Sequence, residues 1–236
     1  MADHRARSRI LKKERATVAV TNARGVRTMH VGGEAIQSAM RIDDPFALAL
    51  DYTRCMMAFL LFHPEPRRAL MIGLGGGSLA KFFHRRLPGL HTHVVEYDER
   101  VIATARALFH VPADDARLTI EHGDGVEALA PECCDLLVVD GYEDESTPAA
   151  MVSQAFFDAA WCALEEPGAF VMNVMDDDKE LDRHLQRLEH AFGGAVIAFQ
   201  SLRDPNIVVI GLKGAPLRIE WRALRARAVG LERKYG

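Results

Sequence analysis

The sequence has few cysteines and no long apolar run. Its four cysteines, Cys55, Cys133, Cys134 and Cys162, form no CxxC pair and have no histidine at metal-ligand spacing, so neither a zinc site nor a disulfide framework is predicted. No apolar stretch approaches the roughly 20 residues that span a bilayer, and residues 1–15 are too polar for a secretory core. We therefore expect a cytoplasmic protein with no metal and no membrane partner.

An excess of charge of one sign is also missing. The 236 residues carry a formal net charge of −4, which offers nucleic acid no general positive field, so no nucleic-acid partner is expected. The basic residues 1–15 are expected to form a flexible, solvated tail.

No GxSxG motif is present, which argues against a hydrolase. At this length the chain is expected to build one good-sized core.

Short β segments predict a small unit ahead of the main domain. They are Thr17–Asn22, Val26–His30 and Glu34–Met40. Because glycine-containing turns join them, residues 16–44 are predicted to form a small antiparallel β unit. Apolar residues at helical spacing then predict a helix over Pro45–Phe62.

From Ala69 onward, apolar strands alternate with helical segments. The predicted strands are ALMIG, HTHVVEYD, RLTIEHGD, CDLLVVDGY and AFVMNVM. Such alternation calls for a mostly parallel sheet covered by helices on both faces, which is an α/β fold. Gly194–Phe199 and Asn206–Gly211 predict a closing antiparallel hairpin. Residues 45–236 are thus expected to form one Rossmann-like domain.

Glycines and carboxylates follow four consecutive predicted strands. In an open parallel sheet the ligand crevice lies outside the carboxyl ends of the strands, so these positions are candidate ligand contacts. They are Gly73, Gly75, Gly76 and Gly77 after the first strand, Glu96 after the second, Asp124 and Gly125 after the third, and Asp140 after the fourth.

Two of these carboxylates point to a nucleoside. Glu96 follows Gly73 by 23 residues, the spacing at which an acidic side chain takes the hydroxyls of a ribose. Asp124 has two interpretations, as an acceptor for the exocyclic amine of adenine or as a residue that only shapes a turn with Gly125. Together with the glycines, these positions favour an adenosine site.

Asp140 follows the apolar run LLVV and is the candidate catalytic base. An amine with a pKa near 10 is almost wholly protonated at neutral pH and cannot attack until it loses a proton. A carboxylate at the rim of a dry pocket can hold such an ammonium group and accept its proton. Glu143 is the candidate second contact, and the alternative for it is a solvated acidic loop.

These residues resemble the spermidine synthase family of aminopropyltransferases. The matching segments are GGEAIQS, LDYTR, MIGLGGGSL, VVEYDERVIATARALF, HGDGVEAL and VVDGYEDESTP, and the resemblance extends over about Gly32 to Trp161. The resemblance implies a small N-terminal β unit before a sheet of the S-adenosylmethionine methyltransferase type, and a homodimer. It also implies a decarboxylated S-adenosylmethionine co-substrate, an amine acceptor and polyamine biosynthesis.

The resemblance also implies roles for individual residues. Those implied to contact the nucleoside are Gln37, Gly73, Gly75, Gly76, Gly77, Glu96, Asp124 and Gly125. Tyr52 and Tyr142 are implied to contact the amine. Asp140 matches the proton-accepting aspartate of a DxxD stretch, and Glu143 replaces its second aspartate with a longer carboxylate.

Three departures from the family pattern leave the reaction open. Gly76 stands where the family has an aspartate that grips the amine of the decarboxylated co-substrate, Arg54 puts a positive charge in the acceptor region, and the YPSG-like segment is absent. The first hypothesis is aminopropyl transfer. The alternatives are methyl transfer from ordinary S-adenosylmethionine and a nucleoside-binding protein without catalysis.

Overall fold

The computed structural model describes residues 17–33, 35–141, 147–214 and 219–235, which form two β-sheets and the helices around them. The strands are β1 Val18–Ala23, β2 Val26–Val31, β3 Ser38–Arg41, β4 Arg68–Ile72, β5 His91–Glu96, β6 Leu118–His122, β7 Cys134–Val139, β8 Leu164–Met175, β9 Val196–Gln200 and β10 Asn206–Lys213. The α-helices are α1 Asp51–Met56, α2 Ser78–Arg86, α3 Glu99–Leu108, α4 Gln154–Ala163, α5 Leu181–Ala191 and α6 Trp221–Tyr235.

The larger sheet has seven strands in the order β6-β5-β4-β7-β8-β10-β9. Strands β6, β5, β4, β7 and β8 are parallel, while β10 pairs antiparallel with both β8 and β9. The predicted α/β fold, with its mostly parallel sheet and closing hairpin, is therefore confirmed. The carboxyl ends of β6, β5, β4 and β7 meet along one edge of this sheet, which is where a ligand crevice is expected.

Helices cover both faces of the larger sheet. The side chains of β4 alternate between the two faces of the sheet. Met71 packs with α1 and α2 on one face, whereas Leu70 and Ile72 pack with α4 and α5 on the other. All six residues of β7 are buried, as expected for a central parallel strand with no solvent-facing side. The described part of the chain contains no helix with the length and apolar character that a membrane crossing needs.

The smaller sheet is an antiparallel unit of three strands in the order β1-β2-β3. Its buried residues Met29 and Met40 share a hydrophobic cluster with Val101 and Phe109 of the α3 region. The predicted unit at residues 16–44 thus packs directly on the main domain, residues 45–236. The division into these two units and a tail at residues 1–15 stays a prediction.

The helix predicted over Pro45–Phe62 is shorter in the structure. Only α1 is α-helical there, and a 3-10 helix, Met57–Leu61, follows it. The amide of Ala47 donates to the carbonyl of Asp44, so a turn occupies the first residues of the predicted span. Leu50 is extended, which starts the helix at Asp51.

Candidate functional site

The strand ends that carry the predicted site residues are tied together by backbone hydrogen bonds. The amide of Gly73 donates to the carbonyl of Val95 at 2.9 Å, and that of Asp140 to the carbonyl of Ile72 at 2.9 Å. The glycine turn between β4 and α2 therefore lies between the end of β5 and the end of β7. The predicted convergence of glycines and carboxylates at one sheet edge is present.

Gly73 and Gly125 make close approaches within the protein itself. Gly73 has φ +93, and a Cβ there would lie 2.8 Å from the carbonyl carbon of Asp140. A Cβ at Gly125 would lie 3.1 Å from two carbons of Ile72. Both positions therefore need glycine for packing at the strand ends, independently of any ligand.

Glu96 holds the glycine turn. Its Oε2 accepts a hydrogen bond from the amide of Leu74 at 2.8 Å, and its Oε1 accepts one from the amide of Asp98 at 3.0 Å. Burial raises the pKa of Glu96, and these amide hydrogen bonds offset part of that rise. Because an ionised carboxylate offers about four acceptor sites, these two bonds leave capacity for ribose hydroxyls.

Asp124 shapes the turn that follows β6. Its Oδ1 accepts a hydrogen bond from the amide of Val126 at 2.8 Å, and its side chain is exposed. This hydrogen bond fits the turn-forming alternative for Asp124, and among the described residues the second carboxylate oxygen has no hydrogen-bond partner. Its contact with adenine stays a prediction.

Asp140 lies at the end of the central strand β7, and both of its carboxylate oxygens are hydrogen-bonded. The amide Nδ2 of Asn173 donates to Oδ1 at 2.9 Å, and the hydroxyl of Tyr52 donates to Oδ2 at 3.3 Å. Burial raises the pKa of Asp140, and the hydrogen bonds from Asn173 and Tyr52 act against that rise. The structure thus brings Tyr52, an implied amine contact, next to Asp140, and its contact with an amine stays a prediction.

The glycine turn also touches the strand that follows Gln37. Gln37 is partly buried, and its carbonyl oxygen lies 3.9 Å from the position of a Cβ at Gly75. A Cβ at Gly76 would lie 2.7 Å from Ser38 Oγ and 2.8 Å from Phe109 Cδ1. Ser38 and Phe109 therefore occupy the space next to Gly76 into which a longer side chain would extend.

Two predicted residues, Tyr142 and Glu143, lie outside the described residues. Arg54, which the sequence placed near the acceptor, has an exposed side chain whose Nε donates to the carbonyl of Leu48 at 3.0 Å. No group of three or more side chains suited to a metal ion is found among the described residues.

Asn173 and Asn206 contribute to this site and were not identified from the sequence. Asn206 Nδ2 donates to Asn173 Oδ1 at 3.0 Å, which extends the hydrogen bonds of Asp140 to a third strand. Asn173 could have been noticed from the sequence, since it is a polar residue within the apolar strand AFVMNVM. The sequence gives no indication of a role for Asn206, because its contact depends on the register between β8 and β10.

A cavity of about 750 Å³ opens beside the end of β8, next to the start of α5. Thr147, Met175, Asp178 and His184 are among the residues that line it. The described residues that line it include neither Asp140 nor those of the glycine turn.

Comparison with known proteins identifies the family of this site. The chain matches the family model of the spermine/spermidine synthase domain over residues 50–198. The chain belongs to the spermine/spermidine synthase domain family. A polyamine aminopropyltransferase of Chromobacterium violaceum is 36% identical over 221 residues, which cover 93% of this chain and 85% of the relative. The family predicted from the motifs is thereby confirmed.

Solved structures agree on the fold of this spermine/spermidine synthase domain. A probable spermidine synthase from Corynebacterium glutamicum has a TM-score of 0.77 at 20% identity, covering 92% of this chain and 84% of that one. Human methyltransferase-like protein 13 in complex with SAH has a TM-score of 0.72 at 23% identity, covering 79% and 93%. At these identities both comparisons are evidence about the fold alone.

Proposed function

We propose that the protein transfers an aminopropyl group from decarboxylated S-adenosylmethionine to the nitrogen of a small amine, a reaction of polyamine biosynthesis. The observation that carries this proposal is Asp140: a carboxylate at the end of the central strand, held by Tyr52 and Asn173 and adjacent to the glycine turn. Membership of the family supports the proposal further.

The chemistry needs one proton acceptor and an aligned displacement. The amine nitrogen forms a bond to the carbon next to the sulfonium, the carbon–sulfur bond breaks, and its electron pair stays on sulfur as a neutral thioether. The nitrogen must lose a proton, and Asp140 accepts it. A raised pKa improves Asp140 as an acceptor, because a base works best when its pKa lies near the working pH.

The remaining site residues bind and orient in this proposal. Glu96 takes the ribose hydroxyls, and Asp124 with Gly125 takes the adenine edge. The glycines 73, 75, 76 and 77 and Gln37 lie along the co-substrate, while Tyr52 lies along the amine. Tyr142 as an amine contact and Glu143 as a second carboxylate stay predictions from the family pattern.

Replacing Asp140 with Asn tests the proposal. The variant keeps the shape and the hydrogen bond from Asn173, with its own amide group facing the Tyr52 hydroxyl, but it cannot accept the proton, so we expect kcat to fall by about 10²–10⁴-fold. Binding of the thioether nucleoside, measured by calorimetry, should be unchanged. Asp158→Asn, on the exposed side of α4, is the matched control and should keep full activity. Equal turnover in Asp140→Asn would remove Asp140 from the mechanism.

Methyl transfer from ordinary S-adenosylmethionine is the second candidate. The observation in its favour is the crowded space at Gly76, where Ser38 and Phe109 exclude the aspartate that the family pattern uses to hold the amine of the decarboxylated form. A site with no preference for the decarboxylated nucleoside in competition binding would favour this candidate. Tight nucleoside binding with no product from any amine would favour a non-catalytic family member.

A further inference from the structure

Asn173 and Asn206 connect three strand ends behind Asp140. Val139 pairs with Met172 in the parallel register of β7 and β8, so Asp140 comes level with Asn173. In the antiparallel pairing of β8 and β10, Asn206 lies opposite Met175 and Val208 opposite Asn173. Asn206 and Asn173 are therefore diagonal neighbours on one face of the sheet, within side-chain reach.

Both asparagines are deeply buried. Asn173 is 3% exposed and Asn206 is 7% exposed. Buried amides are costly unless they are hydrogen-bonded, so their side chains must take the arrangement that satisfies their donors and acceptors. The surroundings of Asp140 fix that arrangement.

Only one direction of hydrogen bonding satisfies all three side chains, Asp140, Asn173 and Asn206. An ionised Asp140 can accept hydrogen bonds but cannot donate them, so Asn173 must present its Nδ2 group, which lies 2.9 Å from Oδ1 of Asp140. The Oδ1 of Asn173 then faces Asn206, which must donate, and the distance from Asn206 Nδ2 is 3.0 Å. Asn206 thereby keeps the amide of Asn173 from flipping.

We propose that Asn173 and Asn206 form a two-residue relay that positions Asp140 and holds it in the ionised state. Asn173 is a positioning residue because it contacts the carboxylate directly, and Asn206 is a positioning residue that acts through Asn173. This inference rests on the proposed function for its role in catalysis, but the relay itself is a property of the protein without substrate.

The relay has a defined electrostatic direction. A hydrogen bond donated to the charged carboxylate favours the ionised form, so its loss must raise the pKa of Asp140. Among the described residues, the other group in hydrogen-bond contact with this carboxylate is the Tyr52 hydroxyl from α1. Asp204, in the turn between β9 and β10, accepts from the backbone amide of Tyr52. Neither of these groups changes in the variants proposed below.

The test is a titration of the Asp140 carboxyl by ¹³C NMR, assigned through the signal lost in Asp140→Asn. In Asn173→Leu we expect an upward pKa shift of about one unit or more, the size of a hydrogen bond to a charged group. Asn206→Leu should give a smaller upward shift, since Asn173 then keeps its donor but loses its fixed orientation. Asn22→Leu, an exposed amide in β1, is the control and should give none.

The double variant Asn173→Leu/Asn206→Leu allows the test to be made even where a single variant does not fold. Removing both partners leaves no buried amide unpaired, so this variant should fold even where a single variant does not. Its shift should equal that of Asn173→Leu alone, because both residues act through one hydrogen bond. Additive shifts, or an Asp140 pKa that stays at its wild-type value in the double variant, would overturn the relay.

Activity measurements separate the relay from the proposed function. If the protein is an aminopropyltransferase, the acid limb of its kcat/KM profile should move to higher pH in step with the measured carboxyl pKa. An NMR shift in a protein that gives no product from any amine would leave the relay standing and count against the proposed function. A displaced acid limb with an unchanged carboxyl pKa would refute the relay.

Discussion

Gly76 marks the point where this protein differs from the family pattern at the level of single atoms. The residue is buried, and a Cβ added there would meet Ser38 Oγ and Phe109 Cδ1. Real Cβ atoms essentially never approach other heavy atoms closer than 3.0 Å, and here two would do so. The space beside Gly76 is therefore filled by a hydroxyl and an aromatic ring, at a position where the family pattern predicts a carboxylate.

Gly76→Ala should accordingly destabilise the protein. Both neighbours would have to move, and overpacking of this kind typically costs about 1–3 kcal/mol. Urea unfolding followed by circular dichroism measures the change. Gly89→Ala is the matched control, because a Cβ there meets nothing within 4 Å. A Gly76→Ala protein as stable as the wild type would mean that the space beside this glycine is open.

Individual residues differed in how far the sequence alone could predict them. The glycines at the strand ends indicated close approach, but not that the neighbour of Gly73 would be the backbone of Asp140. Asp140 was predictable because a carboxylate after an apolar strand has a defined place at the sheet edge. Phe109 could not be predicted as a neighbour of Gly76, since that contact depends on how α3 packs.

At the scale of elements, α1 is joined to the turn between β9 and β10 by reciprocal hydrogen bonds. The carboxylate of Asp204 accepts from the amide of Tyr52 at 2.9 Å, and the carboxylate of Asp51 accepts from the hydroxyl of Ser201 at 3.0 Å and the amide of Leu202 at 3.1 Å. Because Tyr52 donates to Asp140 from this helix, the turn helps to hold the tyrosine in place.

Replacing Asp204 should weaken that connection. In Asp204→Ala an amide of the first helical turn loses its acceptor, which typically costs about 0.5–2 kcal/mol in the free energy of unfolding. Turnover should fall as well, because the position of Tyr52 is no longer fixed. Asp204→Asn retains an acceptor oxygen and should restore most of both. Unfolding in urea and initial rates measure the two effects, and wild-type stability in Asp204→Ala would show that the contact contributes nothing.

Most elements of the main domain could be predicted from periodicity and turn residues, but α1 could not be bounded correctly. The apolar spacing over Pro45–Phe62 is compatible with one long helix. The turn at Asp44 and the extended backbone of Leu50 prevent one continuous helix over this span. Long-range contacts set this boundary, since the acceptor for the first turn of α1 comes from Asp204, about 150 residues later in the chain.

At the scale of the molecule, the order of the strands creates the site. Residues distant in sequence, from Tyr52 to Asn206, meet because β4 and β7 lie at the centre of the sheet with β8 and β10 beside them. Alternation of strands and helices was sufficient to predict the parallel sheet, whereas the register of β8 and β10 was not predictable. A homodimer stays a prediction from the family.

The most direct test of the account is the mass of the product. The purified protein is incubated with short diamines and either decarboxylated or ordinary S-adenosylmethionine, with Asp140→Asn alongside, and the mixtures are analysed by mass spectrometry. An aminopropyltransferase should give a diamine heavier by one aminopropyl group, with release of the thioether nucleoside, from the decarboxylated donor only, and Asp140→Asn should give far less of it than the wild-type protein. A diamine that gains a methyl group from the ordinary donor, or no product from either, would contradict the account.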